Sequence, residues 1–531
     1  MRVASAVRPR LARAAAVVGP QLARVPRTPA ARTWQYAAGA ATAGLALAAG
    51  VVTVAGPWDA TGQRTAERER AVALERPGGA DHGGTGGSGD SDGSGDLGGS
   101  GGSGTEAGAP RPAPSAPSVL AGLGGTTDTV SAGKTPPGGQ ALADVLEPLL
   151  GAPALGGTRT AAVVDMSTGK RLYGTGTGKA LTPASTTKIA TAVAALSALG
   201  ADHRLTTRAA LEADTGELIL VGGGDPTLTA RPEFGGDWAS LRVLADDTAA
   251  ALKKRGIDKI ILSYDNTLFA GPALHPVGVN ENLAPVSALS ADEGRTDKSV
   301  SGPATRVGDP AAAAARTFAD LLKKAGIRTT APGPSKATSR AETLATVTSP
   351  PLSALVERML TNSDNDIAEA LARQTALASG RPASFDGGAK AIAAQLTRLG
   401  LPMSGASFHD GSGLDRNDRL TANLLTALLV KAADPARPGL RPVLTGLPVA
   451  GFTGTLATRY TDGGGGADSA AGVVRAKTGT LTGVNTLAGT VVDADGHLLA
   501  FAFLASGTTD PLQAQAALDR TATALAGCGC G

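Results

Sequence analysis

The sequence predicts an α/β protein of the α+β kind: an antiparallel sheet flanked by helices, carrying an inserted α/β domain and preceded by a transmembrane helix and a disordered linker. Three observations predict it. Late in the chain, three apolar runs of strand length are followed by a helical pattern. In the middle, strand and helix patterns alternate. Ahead of both stand an apolar span of 20 residues and a Gly/Ser-rich tract. At 531 residues, more than one domain is expected.

Residues 1–32 carry seven arginines and no acid. They read as a basic cytoplasmic tail, bounded at 1–33. Thr33-Trp34-Gln35-Tyr36 then leads into "AAGAATAGLALAAGVVTVAG" (37–56) and Pro57-Trp58. Some 20 uncharged, mostly apolar residues suffice to cross a bilayer. The basic flank places the N-terminus in the cytoplasm, and Trp34, Tyr36 and Trp58 stand where interfacial aromatics belong. Residues 34–58 therefore read as a signal anchor, in preference to a cleaved signal peptide. Both readings export everything after Trp58. The expected location is the cell membrane, single-pass with the catalytic part outside the cytoplasm, or secreted if the span is cleaved. The apolar span also argues against a DNA-binding arm. Residues 59–138 read as a disordered linker, since Gly, Ser, Asp and Pro cannot bury enough apolar surface to fold.

The folded payload begins with helical spacing in "ALADVLEPLLGAPAL" (141–155). A β-hairpin turning at Ser167-Thr168-Gly169 follows. "TPASTTKIATAVAALSALG" (182–200) reads as a helix apolar almost all round. Residues 206–345 then read as an inserted α/β domain, with strands in "ELILVGGG" and "IDKIILSYDN" and helices in "LRVLADDTAAALKKRG" and "DPAAAAARTFADLLKKAGI". Helices resume in "PPLSALVERML" and "DIAEALARQTALASG". "GVVRAKTGT", "VNTLAGTVVDADG" and "HLLAFAFLAS" read as strands, the last two joined at Asp495-Gly496. "PLQAQAALDRTATALAG" closes as a helix. The main domain is thus expected at 139–205 and 346–527.

A net charge of +3 gives no reason to expect a nucleic-acid partner. The two cysteines, Cys528 and Cys530, form a terminal C-x-C that reads as incidental. The five histidines are scattered without metal-ligand spacing, so no metal site and no cofactor is expected.

Chemistry is suggested by three short strings. In the apolar helix, Ser185 and Lys188 are three apart and share a face, which Ile189, Ala192, Ala195 and Leu196 continue. A lysine over apolar packing loses its proton more easily, so it can take one from a serine. Pro183 suits a helix start, where backbone N–H groups can face a developing oxyanion. An S-x-x-K string alone is common, and such a lysine can also snorkel to solvent. Ser363-Asp364-Asn365 lies between two helices, a place that also suits a plain N-cap. Lys477-Thr478-Gly479 ends a predicted strand. The order S-x-x-K, S-D-N, K-T-G is the signature of penicillin-binding proteins and class A β-lactamases.

On these motifs the chain resembles, over roughly 140–525, the D-Ala-D-Ala carboxypeptidases of the S13 type, the low-molecular-mass class C penicillin-binding proteins. "LVGGGDPTLT", "APVSALSADEG", "DGSGLDRNDRLT" and "GLPVAGFTGTL" are also similar to that family, without a derivable role. The resemblance implies a β-lactamase/transpeptidase-like domain and a serine carboxypeptidase, with or without endopeptidase activity, acting on peptidoglycan stem peptides that end in D-Ala-D-Ala and acylated by β-lactams. It implies Ser185 as nucleophile, Lys188 as general base, Ser363 as proton relay to the leaving amine, and Asn365 as holder of the substrate amide and of Lys188. Lys477 would bind the terminal carboxylate or support Ser363, with Thr478 and Gly479 beside it. The N–H groups of Ser185 and Thr480 would form the oxyanion hole. Family members often carry two inserted domains between the first two motifs. Here 174 residues lie between Lys188 and Ser363, room for one inserted domain with at most a reduced second.

Two other readings compete. A class A β-lactamase would want a Glu-x-x-Leu-Asn string, and none follows Asn365. A tethered wall-binding module without turnover would be expected to have lost Ser185, Lys188 or Lys477, and all are present.

Overall fold

The computed structural model describes residues 138–234, 238–460 and 470–529. The expected basic tail, membrane span and nearly all of the linker lie outside the described residues. Among the described residues no helix is long and apolar enough to cross a membrane.

The chain opens with α1 (Gly139–Leu150) and the antiparallel hairpin β1 (Thr158–Asp165) and β2 (Arg171–Thr175). A single 3₁₀ turn, Ala184–Thr186, leads into α2 (Thr187–Leu199). The insertion contains β3 (Thr206–Glu212), β4 (Glu217–Val221), α3 (Leu241–Lys254), β5 (Lys259–Asp265), α4 (Pro310–Lys324), β6 (Arg328–Thr329), β7 (Gly333–Pro334) and β8 (Glu342–Thr348). Helices α5 (Leu352–Asn362), α6 (Asn365–Ala378), α7 (Phe385–Arg398), α8 (Ala422–Ala433) and the short α9 (Pro442–Thr445) follow. The chain ends with β9 (Val474–Leu481), β10 (Val484–Val492), β11 (Leu498–Ser506) and α10 (Pro511–Ala526).

The main sheet has the order β2-β1-β11-β10-β9, and its neighbours pair antiparallel. Strand residues alternate between its two faces. Ala161 and Val163 of β1, with Leu499, Phe501 and Phe503 of β11, pack against α1 and α10. Ala162, Val164, Ala500, Ala502 and Leu504 face the other way, toward α2, α5, α6 and α8. Both faces are covered, so these strands read as unbroken apolar runs. Cys528 is buried against the α10 core and disulfide-bonded, so it is not an incidental tail residue.

The second sheet, β6-β5-β4-β3-β8 with β7 beside β5, mixes hands of pairing. β3 pairs antiparallel with β4 and β8, whereas β4–β5 and β5–β6 are parallel. Parallel β4 and β5 require a crossover, and α3 supplies it. The apolar core of this part is built from β4, β5, α3 and α4. Its last strand runs to Thr348, three residues beyond the expected edge at 345. Residues 266–309, largely irregular, leave this core and reach the α6–α7 layer: Arg373 of α6 donates to the carbonyls of Ala270 and Pro272.

Helix α2 is the centre of the helical layer. Every residue from Thr187 to Leu196 is buried, with α5, α6, α7 and α8 around it. That explains its lack of a polar face and makes the buried Lys188 conspicuous.

Candidate active site

Ser185 lies in the 3₁₀ turn and not in the helix proper, contrary to the single helix that the spacing suggests. The preceding residue, Ala184, has φ +48°, a conformation that a regular helix excludes. The i, i+3 relation survives the junction, because the next turn is helical. Lys188 Nζ stands 3.1 Å from Ser185 Oγ. It is also 2.6 Å from Asn365 Oδ1 and 2.7 Å from the carbonyl oxygen of Ser412. A neutral amine has two N–H donors and one lone pair. The two carbonyl oxygens match the donors, so the lone pair is left for the serine hydroxyl. Lys188 is 0 % exposed. Burial pushes its amine down from 10.5 to about 8, against the opposing charges of Asp410, Glu369, Asp364 and Asp366.

The S-D-N string does two jobs. Asp364 caps α6, its Oδ1 accepting from Ile367 N at 3.0 Å. Ser363 caps α5 in the left-handed region, at φ +59° and ψ +37°. Strain of this kind at a non-glycine residue collects at functional positions. The chain reverses there, and Asn365 enters the site two residues later. Asn365 Nδ2 donates to the carbonyl of Asn282, so the insertion helps aim it. Further ties run the same way: Ala284 N donates to Asp366 Oδ1 at 3.0 Å, and Arg306 Nη1 stands 2.9 Å from Asp366 Oδ2. Among the described residues no hydrogen bond holds Ser363 Oγ. Its backbone N–H serves the α5 cap, donating to Met359 O.

Lys477-Thr478-Gly479 lies inside β9, not at its end. β9 has β10 on one side, and on the other the 448–450 segment bridges to Arg475, so the outer edge from Thr478 onward is the part that can pair with an extended peptide. Gly479 is where this strand meets the serine turn. A Cβ there would stand 2.7 Å from Pro183 O and 2.1 Å from Thr486 Oγ1. Thr486 Oγ1 of β10 donates to the same Pro183 carbonyl at 2.8 Å. Lys477 is fully buried, and its Nζ donates to Thr478 O at 2.8 Å. Burial, with the positive charges of Lys188 and Arg459, holds its amine well below the ordinary value. Thr480 Oγ1 accepts from Gln515 Nε2 at 3.4 Å, leaving its backbone on the same edge strand.

Ser185, Lys188 and Asn365 are thus in direct contact, and the Lys477–Thr480 strand packs on the serine turn. Two contributors were not singled out from sequence. Thr455, in the "GFTGTL" stretch, stands with its Oγ1 2.8 Å from Thr478 Oγ1. Ser412, in "DGSGL", contributes a backbone carbonyl. The only available signal for it was the Asp-Gly turn chemistry of that string. Gly413 has φ +82°, and a Cβ on it would lie 1.9 Å from Ala184 O, so this loop is pressed against the serine turn.

A hydroxyl, a buried amine of lowered basicity and an edge strand carrying a second buried lysine define a serine acyl-transfer enzyme. The chain belongs to the D-Ala-D-Ala carboxypeptidase 3 (S13) family, which it matches over residues 142–305 and 301–525. It is 35% identical over 429 residues to a carboxypeptidase of Mycobacterium tuberculosis, a match covering 80% of this chain and 90% of that one. It is 30% identical over 456 residues to the D-alanyl-D-alanine carboxypeptidase of Actinomadura sp. strain R39, covering 70% and 82%. The fold is similar to penicillin binding protein 4 of Haemophilus influenzae, with a TM-score of 0.58 at 23% identity over 72% of this chain and 97% of that one. That protein has also been solved in complex with a β-lactam.

Proposed function

We propose that this chain is a serine-type D-Ala-D-Ala carboxypeptidase that cleaves peptidoglycan stem peptides through an acyl-enzyme at Ser185. The observation that carries this is the Lys188 amine, buried and held by Asn365 Oδ1 and Ser412 O, 3.1 Å from Ser185 Oγ. Family membership supplies the substrate class.

In the proposed sequence, Ser185 Oγ bonds to the carbonyl carbon of the penultimate D-alanine as its proton passes to Lys188 Nζ. The N–H groups of Ser185 and Thr480 receive the oxyanion. The C–N bond then breaks, and the departing amine takes a proton by way of Ser363. Free D-alanine leaves, and water, deprotonated in turn, hydrolyses the ester. Lys477 and Thr478 bind the terminal carboxylate, and Asn365 also holds the substrate amide. Where the leaving amine belongs to a second stem, the same steps cut a cross-link. β-Lactams acylate the same serine. For the parts outside the described residues, the proposal is a membrane anchor at 34–58 and a tether at 59–138. In this reading residues 206–345 form an inserted domain, and 139–205 with 346–527 the catalytic one.

The test is mass spectrometry of the full chain after brief exposure to a penicillin, followed by a D-alanine release assay. A lasting adduct on Ser185 with D-alanine release supports the carboxypeptidase. Rapid penicillin hydrolysis without an adduct would replace it with a β-lactamase. A folded chain showing neither would be a binding module.

A further inference from the structure

The proposed reaction uses none of the five histidines, yet one of them stands three hydrogen bonds from its base. His275 lies in the 266–309 segment and is 3 % exposed. Val277 N donates to its Nδ1 at 3.1 Å, so Nδ1 carries the lone pair and Nε2 the proton. Nε2 donates to Asp410 Oδ2 at 3.0 Å. Asp410 in turn accepts from Gly413 N and Asp415 N, each at 2.6 Å, and from Ser412 Oγ at 3.2 Å. From the opposite side, Glu369 of α6 accepts from Gly411 N and Ser412 N. The peptide so gripped is the one whose carbonyl, Ser412 O, receives Lys188 Nζ.

Asp410 grips from within the loop, while His275, Glu369 and Thr191, whose Oγ1 donates to Gly411 O at 2.6 Å, add restraint from outside the loop. Two of its residues, Gly411 and Gly413, are glycines, whose backbone is the least restricted of all. The histidine is itself well anchored. Its ring meets the Phe385 ring edge-on at 5.0 Å, and Arg373 lies 4.4 Å over that same ring while donating to the carbonyls of Ala270 and Pro272. The charged groups facing His275 are Asp410, Glu369 and Asp415, with Arg373 beyond Glu369.

We infer that His275 is a positioning residue for acyl transfer: by donating to Asp410 it fixes the Ser412 carbonyl that orients the Lys188 amine. The inserted segment would then be part of the catalytic apparatus, joined to the base through a carboxylate and one peptide. This inference rests on the Ser185–Lys188 reading above.

The test compares the full chain with His275→Phe, His275→Gln and His275→Asn, reading the acylation rate by a fluorescent penicillin from pH 6 to 10. Phenylalanine keeps the ring packing and removes the N–H. Glutamine places an amide N–H where Nε2 was. Asparagine keeps an acceptor for Val277 N but falls short of Asp410. A misplaced base costs about 10- to 100-fold, so that loss is expected for Phe and Asn. It should lie in the chemical step, with penicillin binding little changed. The rising limb of the pH profile should move upward, because an amine freed from Ser412 O admits water and regains basicity. Glutamine should stay within about threefold of the parent. If the Phe variant does not fold, Asn against Gln makes the same comparison. Parent-like rates and profile in Phe or Asn, or a Gln variant no better than Asn, would overturn the inference while leaving Ser185 acylation standing. Failure of the parent to acylate would instead remove the reading beneath it.

Discussion

The acylation rate should follow the titration of Lys188. Its amine falls from 10.5 to about 8 on burial, a difference worth about 3 kcal/mol at 1.36 kcal/mol per unit. With that value roughly one tenth of the lysine is free base at pH 7 and nine tenths at pH 9. The second-order rate of acylation should therefore rise about tenfold across that interval and flatten above it. The same shift has a stability consequence. A lysine whose folded value lies below its unfolded value binds fewer protons when folded, so stability rises with pH between about 8 and 10.5. Below pH 8 the group destabilises the fold by the full ~3 kcal/mol relative to alkaline pH. Stopped-flow acylation with a fluorescent penicillin across pH 6–10 reads the rate, and urea unfolding over the same range reads the stability. In Lys188→Ala the limb should vanish and the rate fall by about 10²–10⁴. A profile flat from pH 6 to 9, or a limb that persists in Lys188→Ala, would refute the assignment of Lys188 as base.

Other outcomes follow from the same geometry. Ser185→Ala should abolish the penicillin adduct while moving the unfolding free energy by no more than about 0.5 kcal/mol, as mass spectrometry and thermal melts will show. Asn365→Ala strips Lys188 of one acceptor and leaves the Asn282 carbonyl unpaired. It should cost about 1–3 kcal/mol of stability and about 100-fold in acylation, read by denaturation and by the penicillin rate. Gly413→Ala would press a methyl group onto Ala184 O at a positive φ; a loss above ~2 kcal/mol, with acylation falling in step, should appear in melts and rates. On the proposal that residues 34–58 anchor the chain, deleting residues 1–135 should move an active enzyme from the membrane fraction to the soluble one, as fractionation with a D-alanine assay will show.

Much of the catalytic group was legible because its members are local in sequence. Ser185 and Lys188 are three residues apart, and almost any helical turn brings such a pair together. Asp364 declared itself as a cap and Lys477-Thr478-Gly479 as strand. The less legible elements had their local signals overridden. Helix α7 carries Gly387 and Gly388 in its first turn, poor helix formers that hide it. They are there because a Cβ would stand 1.8 Å from Pro382 O or crowd Ala372. Strand β3, TTRAALE, mixes its two threonines with Arg, Ala and Glu and carries no clean apolar alternation; it is held by pairing with β4 on one side and β8 on the other.

The α+β class, the elements at the two ends of the main domain and the chemical types that could serve as nucleophile, base and anion binder are legible in the sequence alone. These depend on residue type and short spacing. Only the tertiary structure decided what surrounds Lys188. Asn365 comes from 177 residues away and the Ser412 carbonyl from 224. A backbone carbonyl is common to every residue and leaves no trace in a sequence. His275 and Glu369 act on that carbonyl from separate segments of the chain. Their effect depends on the packing of α2, α6 and the inserted segment around one loop, and burial within that packing is what lowers the basicity of the Lys188 amine.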